Sequence, residues 1–184
     1  MPPVLPDASQ VEKAITDLLR EEEIGSIATV SADGTPSAAT MHFASDGLAV
    51  YCHTFTYTRK YAALKNNPNI AYALAHTPAE GFHGRMKVRS VQVTGRATFL
   101  TEQADIEHAI DVSREQFSWL QDSNMYDNFK REGVALRQIF FRIDPVSALW
   151  ADNRVHMLYR TLVTFTPDGK NVASLAPYDT KAAA

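Results

Sequence analysis

Apolar positions along this chain change period several times, and each change marks an element. Val11, Ile15, Leu18 and Leu19 recur at helical spacing with charges between them. This predicts a helix from about Gln10 to Glu23, capped by Asp7 or Ser9 and ended by Gly25. The period then shortens. Ser26 to Ser31, Ser37 to Phe43 and Leu48 to His53 are rich in small and β-branched residues. Ala32-Asp33-Gly34-Thr35 and Ser45-Asp46-Gly47 separate them, and Asp-Gly supplies the positive φ angles of a tight turn. The expectation is three antiparallel strands in a meander.

Further on, Thr58 to Asn66 reads as a short helix closed by Asn67-Pro68, and Ile70 to His76 as a strand. A polar loop, Thr77 to Arg85, leads to a long strand over Lys87 to Leu100, in which Gly95 marks a bulge or bend. Thr101 is expected to cap a helix over Glu102 to Phe117. Trp119 to Glu132 shows no clear period. Ala135 to Asp144 is a strand ending at Pro145, with Val146 to Trp150 continuing it after a kink. Asp152-Asn153 reads as a turn, Val155 to Thr166 as a strand, Pro167 to Lys170 as a turn and Val172 to Leu175 as a last short strand before a loose tail. Strands joined by turns too short for crossovers exclude a doubly wound parallel sheet. The fold class expected is mainly β with flanking helices: an antiparallel barrel or strongly curved sheet in one domain over residues 1–184.

Composition narrows the partners. A net charge of −3 on 184 residues gives no electrostatic case for nucleic acid or an anionic membrane. No apolar run approaches the length of a membrane span. The start, Met1-Pro2-Pro3-Val4-Leu5-Pro6-Asp7, has no basic n-region and no apolar h-region. Cys52 is the only cysteine, so no intrachain disulfide forms. A cytoplasmic location is expected.

Two stretches carry candidate chemistry. From Val50 to Leu64 a strand runs into hydroxyls at Thr54, Thr56 and Thr58, cations at Arg59 and Lys60, and a helix start. Hydroxyls, cations and a helix N-terminus in sequence suit a phosphate group. A plain strand–turn–helix connection with surface charges has the same pattern. Trp150-Ala-Asp-Asn-Arg-Val-His156 places a flat apolar face, an anion clamp and an imidazole close together. An interface Trp, a surface Arg and a core His would read alike. Cys52 and His53 are strand neighbours and point to opposite faces, so they form no dyad by themselves. The six histidines are scattered, without metal-site spacing. Walker-type and Gly-x-Gly-x-x-Gly loops are absent from the sequence.

Together these stretches resemble the pyridoxamine 5′-phosphate oxidase family, FMN-binding split β-barrels that act as homodimers. Tyr51, Thr54 and Thr58-Arg59-Lys60 resemble its phosphate-binding segment. Arg89-Ser-Val-Gln-Val-Thr-Gly95 resembles its long strand, and Trp150, Asn153-Arg154-Val155-His156 and Leu175-Ala176-Pro177 its C-terminal signature. The resemblance implies that Arg59 and Lys60 hold the FMN phosphate with Thr54 and Thr58. It places His53 and Ser90 at flavin-lining positions, and has Trp150 approach the flavin from the partner subunit. Arg154 and His156 would face the substrate as catalytic residues, in hydride transfer from a small amine or alcohol. Ala39, Ala44, Ser90 and Leu158 depart from the family's ligand positions, and its substrate-phosphate clamp is not evident around Val112 to Asp122. Alternatives implied by related barrels are a deazaflavin-dependent reductase and a non-catalytic flavin or haem binder.

Overall fold

The computed structural model describes residues 4–126 and 138–178. Part of the Trp119 to Glu132 segment, the first residues of the strand expected from Ala135, and the tail lie outside them.

The first helix, α1 (Ala8–Glu21), is capped by Asp7. The Asp7 carboxylate accepts from the Gln10 N–H at 2.9 Å, and the Gln10 side chain accepts from the Asp7 N–H at 3.0 Å. Its apolar stripe, Val11, Ile15, Leu18 and Leu19, is buried in the main core. The helix ends at Glu21, not at Gly25, which lies inside β1 (Ile24–Val30). A Cβ at Gly25 would meet the Ala73 carbonyl at 2.9 Å and the Phe43 ring at 2.8 Å, so close packing requires the glycine.

β1 pairs with β2 (Pro36–His42) through the expected Asp-Gly turn, with Gly34 at φ 85°. β3 (Ala44–Asp46) and β4 (Ala49–Phe55) form a second hairpin with Gly47 at φ 59°. The expected three-strand meander is not formed, because β2 does not pair with β4. Instead β4 pairs with β7 (Gln138–Asp152). The sheet path is β2-β1-β5-β6-β7-β4-β3, where β5 is Asn69–His76 and β6 is Arg89–Phe99. Only Phe43 separates β2 from β3, so one bent stretch of chain holds both edges of the path and closes it into a barrel. Phe43 is fully buried at the bend, edge-on to Tyr72 at 5.2 Å.

One edge of β7 is split between partners. Ile143 and residues before it pair with β4, and Ser147 to Ala151 pair with β8 (Arg160–Phe165), which carries β9 (Val172–Pro177). Pro145 sits at the changeover opposite Gly95, where the β6–β7 register shifts. The expected bulge is present, and β7 runs through the proline as one strand. A Cβ at Gly95 would lie 2.6 Å from the Asp144 carbonyl oxygen. Gly95→Ala is therefore expected to lower stability by about 1–3 kcal/mol, measured by urea unfolding.

The helix α2 (Arg59–Asn66) follows β4, and α3 (Gln103–Gln116) follows β6. Glu102, not Thr101, occupies the α3 N-cap, with no side-chain cap bond. The strand expected from Val155 begins only at Arg160. The residues before it form a turn held by the Leu158 N–H donating to Asn153 Oδ1 at 3.0 Å, with Leu158 at φ 62°.

The core has two parts. Val50 and Cys52 of β4 point into the barrel, whereas Tyr51 and the Phe140 ring of β7 lie outside it, under α3. Strand alternation sends neighbouring residues of β4 into different cores. Cys52 is the buried structural thiol, its pKa pushed far up by burial.

Candidate functional site

Between β2 and β4, where the barrel wall is unpaired, lies a cavity of about 340 Å³. Its floor is the outer face of β4, with Tyr51, His53 and Phe55, and the Phe140 ring. β2 contributes Thr40 and His42, and the end of α3 with the turn after it contributes Phe117 and Trp119. Lys60, in the first turn of α2, also lines it. Its size and mixed apolar and polar lining suit a small-molecule ligand.

The two ends differ. Ala44 pairs with Tyr51, which brings the end of β2 beside the start of β4. Lys60 follows the other end of β4, in the first turn of α2. At the Lys60 end, Thr54 is buried and its hydroxyl lies 3.1 Å from that of Thr58. Thr58 is the N-cap of α2: its Oγ1 accepts from the Tyr61 N–H at 3.3 Å and donates to the Phe55 carbonyl at 2.8 Å. The first-turn N–H groups of α2 need partners from outside the helix. A cation, a hydroxyl pair and a helix start thus meet at one end of an aromatic cavity, which fits a phosphate-bearing planar group.

His53 lies among rings. Phe55 is 5.2 Å away, Phe140 5.7 Å and Tyr126 5.8 Å, centroid to centroid. Burial, and secondly the Lys60 charge, push its pKa down to about 4. The imidazole is neutral at pH 7. In the unfolded chain it takes a proton near pH 6.5, whereas the folded chain resists until about pH 4. Its contribution to stability is whole above that window and is lost as pH falls through it. A loss on the order of 1–3 kcal/mol is expected, discounted for partial solvent screening. Urea midpoints at pH 7 and pH 5 should differ less in His53→Gln than in the wild type.

The other expected site residues lie elsewhere. Arg59 faces away from Lys60 and lines a separate crevice of about 300 Å³ against Ser31, Thr35 and Ser37. Adjacent helix residues diverge by about 100° around the axis, and here the two side chains line different cavities. Ser90 is half-buried on β6, opposite Ala75 and Ala151. Trp150 is 2% exposed, in the barrel interior, with Tyr159 edge-on at 5.8 Å. Its indole is not presented at a surface, which corrects the expectation that it reaches a partner's flavin. Arg154 is half-exposed and held by buried Asp152: its Nη2 donates to Oδ2 at 2.6 Å and its Nε to Oδ1 at 2.9 Å. That hydrogen bond is the main reason its pKa is raised. His156 is exposed; its Nδ1 lies 3.1 Å from the Met157 carbonyl oxygen, and its ring is edge-on to Tyr159 at 5.0 Å. It lines a third hollow, between Leu5-Pro6 and β9.

His53, Thr54 and Lys60 are thus brought together, while Arg59, Ser90, Trp150, Arg154 and His156 are not in that cavity. Sequence reasoning misses His42, Phe117, Trp119 and Tyr126. Alternation along β4 is a signal for its floor, but nothing local announces the α3 end above it. Among the described residues no group of three or more metal-ligating side chains gathers, and no helix is long and apolar enough to cross a membrane.

The family model for pyridoxamine 5′-phosphate oxidase matches residues 11–144. The chain belongs to the pyridoxamine 5′-phosphate oxidase family. This family match covers α1 from Val11 onward, the barrel strands as far as the first half of β7, and the whole cavity. General stress protein 26 of Bacillus subtilis (strain 168) is 32% identical over 104 residues, 56% of this chain and 69% of that relative. A heme binding protein from Mycobacterium smegmatis superposes with a TM-score of 0.65 at 15% identity, covering 88% of this chain and 59% of its own. This chain therefore spans under two thirds of that protein. A FAD-binding protein from Mesorhizobium loti gives a TM-score of 0.54 at 20% identity, covering 74% of this chain and 90% of its own. At such identities the two superpositions establish the split-barrel fold. By their names, one of these neighbours binds haem and the other a flavin.

Proposed function

We propose that this chain binds FMN in the β2–β4 cavity and acts as an FMN-dependent oxidoreductase, transferring hydride from a small amine or alcohol substrate. The observation that carries the reading is the meeting of Lys60, the Thr54–Thr58 hydroxyl pair and the start of α2 at one end of an aromatic cavity. Lys60 and Thr54 hold the phosphate, and the rings around His53 pack against the flavin. When bound, the flavin supplies the hydride chemistry. The neutral His53 adds a hydrogen-bonding group without adding charge. The Mesorhizobium loti neighbour's name supports a flavin.

A homodimer is part of this proposal. β7 carries Phe140 near one end and Asp152 at the other, up to about 40 Å apart along the strand. Arg154 and His156 therefore meet the cavity's ligand only from a second copy. The outer sheet face, with Ser26, Ala28, Ala73, Gln92, Thr94 and Leu162, forms an uncharged hollow of about 670 Å³ and supports such a contact. Ser90 projects from the same side of β6 as Gln92 and Thr94. The location proposed is cytoplasmic.

A second reading, a non-catalytic haem binder, is favoured by two imidazoles, His42 and His53, lining the cavity, one of them neutral at pH 7. A deazaflavin reductase would use the same contacts as FMN. Absorption of the purified protein and the mass of the cofactor released on denaturation separate the three. Bleaching of bound flavin by amines or alcohols without oxygen is the result expected. A Soret band, or a flavin that no amine or alcohol reduces, would overturn the oxidoreductase reading.

A further inference from the structure

The cavity's second end has chemistry of its own. Phe117 and Trp119 stack there, centroids 5.6 Å apart and 17° from parallel. His42 stands edge-on to both, 5.7 Å from Phe117 and 5.2 Å from Trp119. Phe117 is buried in the α3 core, whereas Trp119 is 47% exposed. The pair is an aromatic shelf with a fixed back and an open front. It is fastened by polar contacts: the Trp119 indole N–H donates to the Glu23 carboxylate at 3.3 Å. Gln116, one residue before Phe117, spends its side chain on backbone. Its Nε2 donates to the Leu19 and Phe43 carbonyls at 2.9 and 3.1 Å, and its Oε1 accepts from the Ser45 N–H at 2.9 Å. These bonds clamp the end of α3 over the β2–β3 bend.

Charge at this end is unfavourable to an anion. Lys60, beyond the far end of β4, is the only cation lining the cavity among the described residues. Arg114 is on the same turn of α3 but does not line it. The formal charge hydrogen-bonded to the shelf is the Glu23 carboxylate. A phosphate or carboxylate placed there would meet like charge, whereas a flat ring gains offset stacking on Trp119 and an edge contact with His42.

We propose that the Phe117–Trp119–His42 shelf is the binding site for the second reactant, a planar aromatic compound without a phosphate. This rests on the FMN reading for the reactant's role, but binding at the shelf does not require a cofactor. The full-length protein is titrated with 1-naphthol and with 1-naphthyl phosphate, and binding is measured by calorimetry. Saturable binding of 1-naphthol is expected, weakened about tenfold by Trp119→Ala and less by His42→Ala. Trp119 is half-exposed, so the substitution leaves the core intact, which circular dichroism checks. Prior saturation with FMN is expected to leave 1-naphthol binding intact, and loss of 1-naphthol binding once FMN is bound would overturn the proposal. No saturable 1-naphthol binding, equal binding in Trp119→Ala, or tighter binding of the phosphate ester would overturn the proposal. If the protein takes up no FMN yet binds 1-naphthol through Trp119, the flavin reading fails and the shelf stands. FMN uptake without 1-naphthol binding leaves the flavin reading standing and removes the shelf.

Discussion

Replacing Lys60 with alanine is expected to weaken FMN binding about a hundredfold, while leaving the fold intact. Lys60 is the cation that the cavity presents beside Thr54 and the start of α2. A charge-assisted bond to phosphate contributes roughly 1.5–3 kcal/mol, and the upper part of that range is a factor of about a hundred. The side chain is on a helix surface, and alanine is the better helix former. Arg59→Ala is the internal control. Its side chain lines the crevice by Ser31 and Thr35, so the loss of FMN affinity should be several-fold smaller. Fluorescence titration of flavin into both variants makes the comparison. Equal losses would mean that Arg59 swings into the Lys60 cavity on binding.

Trp150→Ala is expected to destabilise the protein by about 3–5 kcal/mol, the cost of emptying a large aromatic site in a packed core. Trp150 is among the largest fully buried side chains, and its strand neighbours are paired on both sides, with Val91 of β6 and Thr161 of β8 opposite. Its indole N–H has no acceptor among the described residues, so no hydrogen bond adds to the loss. Urea unfolding of wild type and variant reads the difference. A side chain serving a partner's flavin would behave otherwise: stability unchanged, flavin affinity reduced.

Lys60 and Trp150 mark what is legible in the sequence and what is not. Asp-Gly pairs set the two hairpins because their backbone requirement is local. The partner of β4 is not local. β2 and β4 are close in sequence, yet β4 pairs with β7, nearly ninety residues later, and Phe43 makes the switch between edges with no glycine or proline to announce it. The end of the cavity proposed to hold phosphate is legible because Thr54, Thr58 and Lys60 are consecutive parts of one strand–turn–helix. Arg59 reads like Lys60 in sequence yet lines a different crevice, because successive side chains of a helix point in different directions. The flat face of Trp150 suggests a ligand contact, although Ala148, Trp150 and Asp152 alternate as one buried row of β7. Arg154 suggests a free clamp, although the buried carboxylate two residues earlier holds it. The aromatic shelf is invisible in sequence because Gln116, which fixes it, bonds to backbone some seventy and nearly a hundred residues away.

The central claim is that Lys60 and its surroundings bind the phosphate of a flavin. Comparing FMN with riboflavin, in the wild type and in Lys60→Ala, measures that phosphate contact and nothing else in the cavity. FMN should bind the wild type roughly a hundredfold more tightly than riboflavin, and most of that advantage should vanish in Lys60→Ala. Equal affinity for the two flavins in the wild type, or a preference for FMN that survives intact in Lys60→Ala, would contradict the claim.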